Sequence, residues 1–176
     1  MKKILILSDT HSYIHSSMIK HIEAADEVWH AGDWGDVAVA DTIMSISPCV
    51  KGVYGNIDGQ GIRGYFPVEN VFECEEVTVG IAHIAGKPGY YKAHGLHLLK
   101  NNKVNLFICG HSHILQVQRD IFAGNQFLYI NPGAAGREGF HKVMTAIRLK
   151  IDGKKIFDLE VIELGKRGAL ENAKDN

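Results

Sequence analysis

The chain has 176 residues, with Lys+Arg 19 against Asp+Glu 20 and a formal net charge of -1. Hydrophobic residues at 45% and charged residues at 22% are the proportions of a globular protein long enough to bury a core. They exclude a polybasic surface for bulk nucleic acid, an acidic solvating tail, and collagen-like or low-complexity chain.

The N-terminus, MKKILILSD, places only four apolar residues before Ser8 and Asp9. A secretory core needs roughly 7–15 and a membrane span about 20, so the chain reads as cytoplasmic with no membrane attachment. Cys49, Cys74 and Cys109 form neither CxxC nor a zinc-ribbon spacing,. Each lies in or beside an apolar segment and is expected as a free, buried thiol in a reducing compartment.

In chain order, Ile4 to Leu7 is a continuous apolar run, the pattern of a strand buried on both faces. Ser16 to Ala25 carries Met18, Ile19, Ile22 and Ala25 on one helical stripe, with Ser16 or Ser17 as N-cap. Glu27 to His30 reads as a strand, Val37 to Ile46 as a helix ended by Pro48, and Cys49 to Tyr54 as a third strand. This βαβαβ order argues for a mostly parallel sheet covered by helices. Val71 to Glu73 and Val77 to Ala82 follow as strands around Glu75-Glu76. A helix is expected over Gly89 to Asn101 and a buried strand over Leu106 to Cys109. Gln116 to Asp120, Phe127 to Ile130, Met144 to Ile151 and Lys155 to Ile162 have strand character, the last pair joined by an Asp152-Gly153 turn. The polar tail from Gly165 is expected to fray. The sum is one α/β domain over residues 1–176, two mixed sheets face to face with helices outside.

Five polar stretches follow predicted strands: Ser8-Asp9-Thr10-His11, His30-Ala31-Gly32-Asp33, Gly55-Asn56-Ile57-Asp58, Ala82-His83 and Gly110-His111-Ser112-His113. Open α/β sheets bind ligands at the carboxyl ends of their strands. Asp9 and His11, like His111 and His113, stand at i and i+2, which in extended backbone point the same way. Carboxylate, imidazole and amide donors without thiolate suit Mn, Fe, Ni or Zn rather than a structural zinc. Asp9, His11, Asp33, Asn56, His83, His111 and His113 are too many donors for one catalytic ion and suit two ions sharing a carboxylate. Two metals about 3.5–4 Å apart are the known device for displacement at phosphorus. Each residue alone has a plainer reading, as a turn, cap or strand-end polar group; the ordered series carries the argument.

In that order the stretches resemble the DxH, GD, GN, H, GHxH signature of the calcineurin-like metallophosphoesterase superfamily, and more narrowly its small single-domain phosphodiesterase branch, over about residues 3–162. The resemblance implies a four-layer αββα sandwich. Asp9, His11, Asp33 and His113 would hold one divalent ion and Asn56, His83 and His111 the second, with Asp33 bridging and manganese expected first among Mn, Ni, Fe and Zn. A bridging hydroxide would attack a small phosphodiester, His11 would offset phosphoryl charge, and Asp58 would orient a ligand or the water. Asn131-Pro132-Gly133 matches a turn of this branch.

The sequence also departs from the family. Many members place a His directly after the motif Asn; here Ile57 stands there and cannot carry a proton. Ile84-Ala85 replaces the Gly-His that usually follows His83. The retromer scaffold subunit shares the fold with degraded ligands, whereas this ligand set is intact. Phosphomonoesterase, nuclease and metal-binding scaffold stand as alternatives, and a homo-oligomer stays open. Arg63 and Arg137, in Gly-rich loops, could grip phosphate or be solvated. His94 and His97, at i and i+3, read as a solvated face sooner than a metal pair. Gly59 to Gly64 matches GxGxxG literally, but Phe66-Pro67 follows where a helix should run, so no dinucleotide site is expected.

Overall fold

The computed structural model describes residues 1–139 and 141–168. In chain order the elements are β1 (Lys2–Leu7), a 3-10 turn (Ser16–Met18), α1 (Ile19–Glu23), β2 (Glu27–His30), α2 (Val37–Ile46), β3 (Val50–Gly52), α3 (Gln60–Tyr65), β4 (Glu69–Cys74) and β5 (Val77–Ala82). They continue as β6 (Gly86–Lys87), β7 (Tyr90–Tyr91), α4 (Ala93–Asn101), β8 (Leu106–Ile108), β9 (Leu115–Phe122), β10 (Asn125–Pro132), β11 (Val143–Asp152) and β12 (Lys155–Lys166).

Two five-stranded mixed sheets result, ordered β12-β11-β1-β2-β3 and β4-β5-β8-β10-β9. Strands β1, β2 and β3 run parallel, as do β5, β8 and β10, and the outer pairings are antiparallel. The side-chain period of two explains the layering. Ile4 and Ile6 face Val79, Ile81, Leu106 and Ile108 in the core between the sheets. Leu5 and Leu7 face outward onto Ile22, Val39 and Ile43 of α1 and α2. Leu98 and Leu99 of α4 cover Phe107, Phe127 and Tyr129 on the far face of the second sheet. Each such buried aliphatic side chain stabilises by about 1.5–3 kcal/mol. The expected αββα sandwich is therefore the observed one.

Several local expectations need correction. Ser16 to Ala25 is not one helix: Ser17 Oγ is spent on the Leu164 carbonyl (3.2 Å), and the His15 ring caps the Ser17 N–H instead. The helix expected from Gly89 starts at Ala93, because Tyr90 and Tyr91 pair with Gly86-Lys87 as a short hairpin and Tyr91 packs against Phe107. Helix α3 was hidden by Gly61 and Gly64, both poor helix formers. Gly61 has a packing reason, since a Cβ there would stand 2.5 Å from Val37 Cγ2. The last hairpin turns at Gly153-Lys154, one residue later than expected, with Asp152 paired to Lys155.

The chain does not fray at Gly165. Strand β12 runs to Lys166, and Arg167 donates to five backbone carbonyls, those of Ala134, Gly136, Glu138, His141 and Val143. The rest of the expected frayed tail, 169–176, lies outside the described residues. Among the described residues no helix is long and apolar enough to cross a membrane.

Candidate metal centre

The carboxyl ends of β1, β2, β3, β5 and β8 open on one region, and each of the five polar stretches leaves one of them. Backbone bonds tie the first two loops together: Asp9 N–H to Gly32 O (2.9 Å), His11 N–H to Asp33 O (3.1 Å) and Ser12 N–H to Trp34 O (2.9 Å). The pairs at i and i+2 do not lie in the extended backbone that the sequence spacing suggested. Asp9, His11, Ser12, Asp33, His111 and His113 all have φ between +47° and +67°. Asp and His tolerate this left-handed region better than most residues, and each such position costs of order 1–3 kcal/mol unless its surroundings hold it. Left-handed turns, not strand pleat, aim these side chains.

The side chains converge. One ligand atom each from Asp9, His11, Asp33 and His113 lies within 4.8 Å of the others, and the same is true of Asp33, His83 and His111. Asp33 belongs to both groups. In the first, His113 Nε2 is 3.1 Å from Asp9 Oδ1 and 3.2 Å from His11 Nε2, and His11 Nε2 is 3.8 Å from Asp33 Oδ2. In the second, His83 Nε2 is 3.1 Å from Asp33 Oδ2 and 3.2 Å from Asn56 Oδ1. All seven expected donors are thus brought together. Asp58 stands apart from both groups: its carboxylate accepts the N–H of Gly55 (2.7 Å) and of Gly35 (2.9 Å), which fixes the loop carrying Asn56.

Further residues, missed by the sequence reading, set the geometry. The His83 Nδ1–H donates to Ala31 O (2.7 Å), which points Nε2 at Asp33 and Asn56; in the metal-free protein Nε2–H donates to the Asp33 carboxylate (3.1 Å), a proton that a bound ion would displace. The side chain of Asn131, expected only as a turn residue, donates to Gly110 O and Ser112 Oγ (3.0 Å each) and so braces the His111–His113 loop. Glu138 Oε2 lies 3.5 Å from His11 Nδ1. His30, at the end of β2, is fully buried, stacks on Trp34 (3.7 Å between centroids) and accepts the Gly32 N–H (3.1 Å). Two glycines permit close approach: a Cβ on Gly55 would stand 2.0 Å from Asp33 Oδ1, and one on Gly110 would stand 2.0 Å from Ser8 Oγ. No single-residue signal in the sequence marks these supports, since each acts across the fold.

The charges suit cation binding. Burial opposes ionisation of Asp33, but the His83 hydrogen bond and charge outweigh it and hold the carboxyl below its ordinary value,. Burial also opposes a charge on His83; its Asp33 and Asp9 neighbours reverse that and raise it. Burial, aided by His83, lowers His111.

Of the remaining expectations, Arg63 lies over the Tyr54 ring (4.8 Å) and its Nε–H donates to Asp58 O (2.8 Å). Arg137 lies over Tyr13 (4.0 Å). His94 and His97 are more than a solvated face, since both donate to Glu69 through Nδ1 at 2.6 Å. They form no metal group with it among the described residues. The three cysteines are free; burial pushes Cys74 up to about 11 and Cys109 up to about 12, so both thiols are inert. Two clefts of about 600 and 840 Å³ lie away from the carboxylates and imidazoles that converge.

The calcineurin-like phosphoesterase superfamily domain model matches residues 1–154. The chain belongs to the calcineurin-like phosphoesterase superfamily. No curated protein matches it significantly. Among solved structures it is similar to wild-type Vps29 from Entamoeba histolytica complexed with zinc, with TM-score 0.69, 16% identity, and coverage of 93% of this chain and 99% of that one. It is similar to a Thermotoga maritima protein solved by NMR, with TM-score 0.68, 24% identity, and coverage of 93% and 99%. It is also similar to a novel archaeal phosphodiesterase, with TM-score 0.65, 20% identity, and coverage of 91% and 99%. At these identities the structures establish the shared fold.

Proposed function

We propose that the chain is a dinuclear, metal-dependent phosphodiesterase of small substrates. The observation that carries this reading is the shared Asp33: one carboxylate common to two ligand-atom groups, each compact enough for one ion. The donor set fits. Imidazoles, carboxylates and one amide oxygen suit Mn, Ni, Fe or Zn, and the His83 ring is already oriented for ligation by Ala31,. Asp9, His11, Asp33 and His113 would hold one ion; Asp33, Asn56, His83 and His111 would hold the other. Bound there, the ions would supply Lewis-acid activation of water and of the phosphoryl oxygens.

The chain's own residues do the rest. His11 would ligate through Nε2, which faces Asp33 and His113, while its Nδ1 lies 3.5 Å from Glu138 Oε2. Asp58 keeps the Asn56 loop in place. Exposed Ile57 offers no proton, so diesters with good leaving groups should react first. The near-zero net charge argues for a small substrate rather than bulk nucleic acid, and the setting proposed is the cytoplasm.

The test is a manganese, nickel and zinc titration of purified protein on bis-nitrophenyl phosphate and on nitrophenyl phosphate. Metal-stimulated turnover with the diester preferred supports the reading. Preference for the monoester would make the chain a phosphomonoesterase, and metal binding without turnover would make it a scaffold.

A further inference from the structure

Two clefts flank Ile84 beside the metal centre. One, about 240 Å³, is lined by Tyr54, Asn56, Arg63, His83, Ile84 and His94. The other, about 250 Å³, lies against Ile84, Lys87, Tyr90, Lys92 and His111. Each is smaller than the roughly 300–1,000 Å³ of a whole-ligand pocket, and each touches a candidate metal ligand. A phosphodiester carries two substituents on phosphorus, and the site offers one cleft for each.

The first cleft has a built-in anion grip. Arg63 is anchored by its Nε–H on Asp58 O and by the Tyr54 ring. Among the described residues no hydrogen bond takes up its terminal Nη groups, which form the planar fork that matches phosphate. His94 is anchored through Nδ1–H on Glu69 Oε1 (2.6 Å), which leaves Nε2 as a donor to phosphoryl oxygen when the ring is protonated. The Glu69 carboxylate is spent on His94 and His97 together. Burial would raise Glu69, but the His97 and His94 hydrogen bonds outweigh it. Two cationic or donor groups on rigid supports thus face one small cleft next to Asn56 and His83.

We propose that Arg63 and His94 seat a second phosphoryl group of the substrate, so that the preferred phosphodiesters carry a phosphomonoester on one arm. This rests on the diesterase reading and narrows its substrate class. The test compares a dinucleoside monophosphate with the same molecule bearing a 5′-phosphate, on manganese-loaded enzyme. The phosphorylated substrate should show a kcat/KM about tenfold higher or more, chiefly through KM. Arg63→Gln and His94→Gln should each bring that ratio close to one, while Lys154→Gln, an equal charge change at a distant exposed site, should leave the ratio intact. A second readout needs no turnover: titrating inorganic phosphate into metal-free protein should shift the His94 imidazole nitrogen resonances and leave those of His21 in place. A ratio near one in the parent enzyme, with bis-nitrophenyl phosphate still hydrolysed, overturns the subsite and leaves the diesterase reading standing. If bis-nitrophenyl phosphate is not hydrolysed, the diesterase reading falls, and the phosphate titration decides: an unmoved His94 overturns the subsite as well.

Discussion

Asp33 and His83 meet with Oδ2 and Nε2 3.1 Å apart, while Asp33 Oδ1 accepts the Ile57 N–H at 3.1 Å. One carboxylate oxygen therefore faces the imidazoles and the other is held by backbone. The carboxylate of β2's loop is locked in place by residues from β3's and β5's loops, which gives the shared position its rigidity.

Replacing that carboxylate tests the centre directly. Asp33→Asn keeps the shape but removes the charge, and turnover should fall by at least about 100-fold with metal content reduced. Circular dichroism should be unchanged. Full activity with two bound ions would remove Asp33 from its shared role.

Gly55→Ala should damage the centre without replacing a donor. The new Cβ would fall 2.0 Å from Asp33 Oδ1 and 2.3 Å from Asp33 N, neither of which can yield freely. Metal affinity should drop about 10–100-fold, the range for a disturbed supporting shell. Calorimetric titration of manganese is the measurement, and parent-like affinity would mean that the loop relaxes.

Asn131→Leu removes the two hydrogen bonds that brace the Gly110–His113 loop. A buried carbonyl loses its donor, at a cost of about 1–3 kcal/mol, and metal affinity should fall as His111 and His113 loosen. Denaturant midpoints read the first effect and metal titration the second. A stability loss with unaltered metal affinity would confine Asn131 to the fold.

Arg167→Ala should release the 134–143 segment from the end of β12. Five carbonyls lose a charged donor, and the loss should be about 2 kcal/mol or more. Gly136 N–H bonds Asp9 O (3.0 Å), so the disturbance should reach the metal centre. Thermal melting with and without manganese measures both; an unshifted melt would mean that the clasp carries no stability.

Acid should weaken the metal-free protein through His30. Its Nδ1 accepts the Gly32 N–H, so Nε2 carries the proton and donates to Thr10 Oγ1 (3.0 Å). Burial, with the neighbouring His83 charge, holds the ring well below its ordinary 6.5. The unfolded chain takes up a proton near pH 6.5 that the folded ring refuses. Stability from neutral His30 is therefore full above that pH and lost as pH falls below it toward the folded value. His111 adds to the trend and His83 opposes it, so the comparison needs His30→Gln. The variant should show a shallower loss of urea stability between about pH 7.5 and 5.5; an equal slope would show that His30 titrates normally.

The apolar runs set the layers before any tertiary contact is considered. The alternation of Ile4, Leu5, Ile6 and Leu7 requires cover on both faces, and the βαβαβ order that follows fixes a parallel sheet with ligands at its carboxyl edge. The chemical types of the seven donors, and their order along the chain, were equally legible, because an ion's preference for imidazole and carboxylate is a property of side chains. Their aim was not. It depends on left-handed turns at Asp9, His11, Asp33, His111 and His113, which a donor spacing of two residues misrepresents as pleat. The supports were silent for a further reason. His30, Asn131, Glu138 and Arg167 act through hydrogen bonds and charge contacts made to residues of other loops or strands, and a long-range contact leaves no periodicity or motif. Local physics thus chose the elements and the ligand chemistry; only the closing of two sheets on one another decided which backbone carbonyl fixes which ring, and which cleft lies beside it.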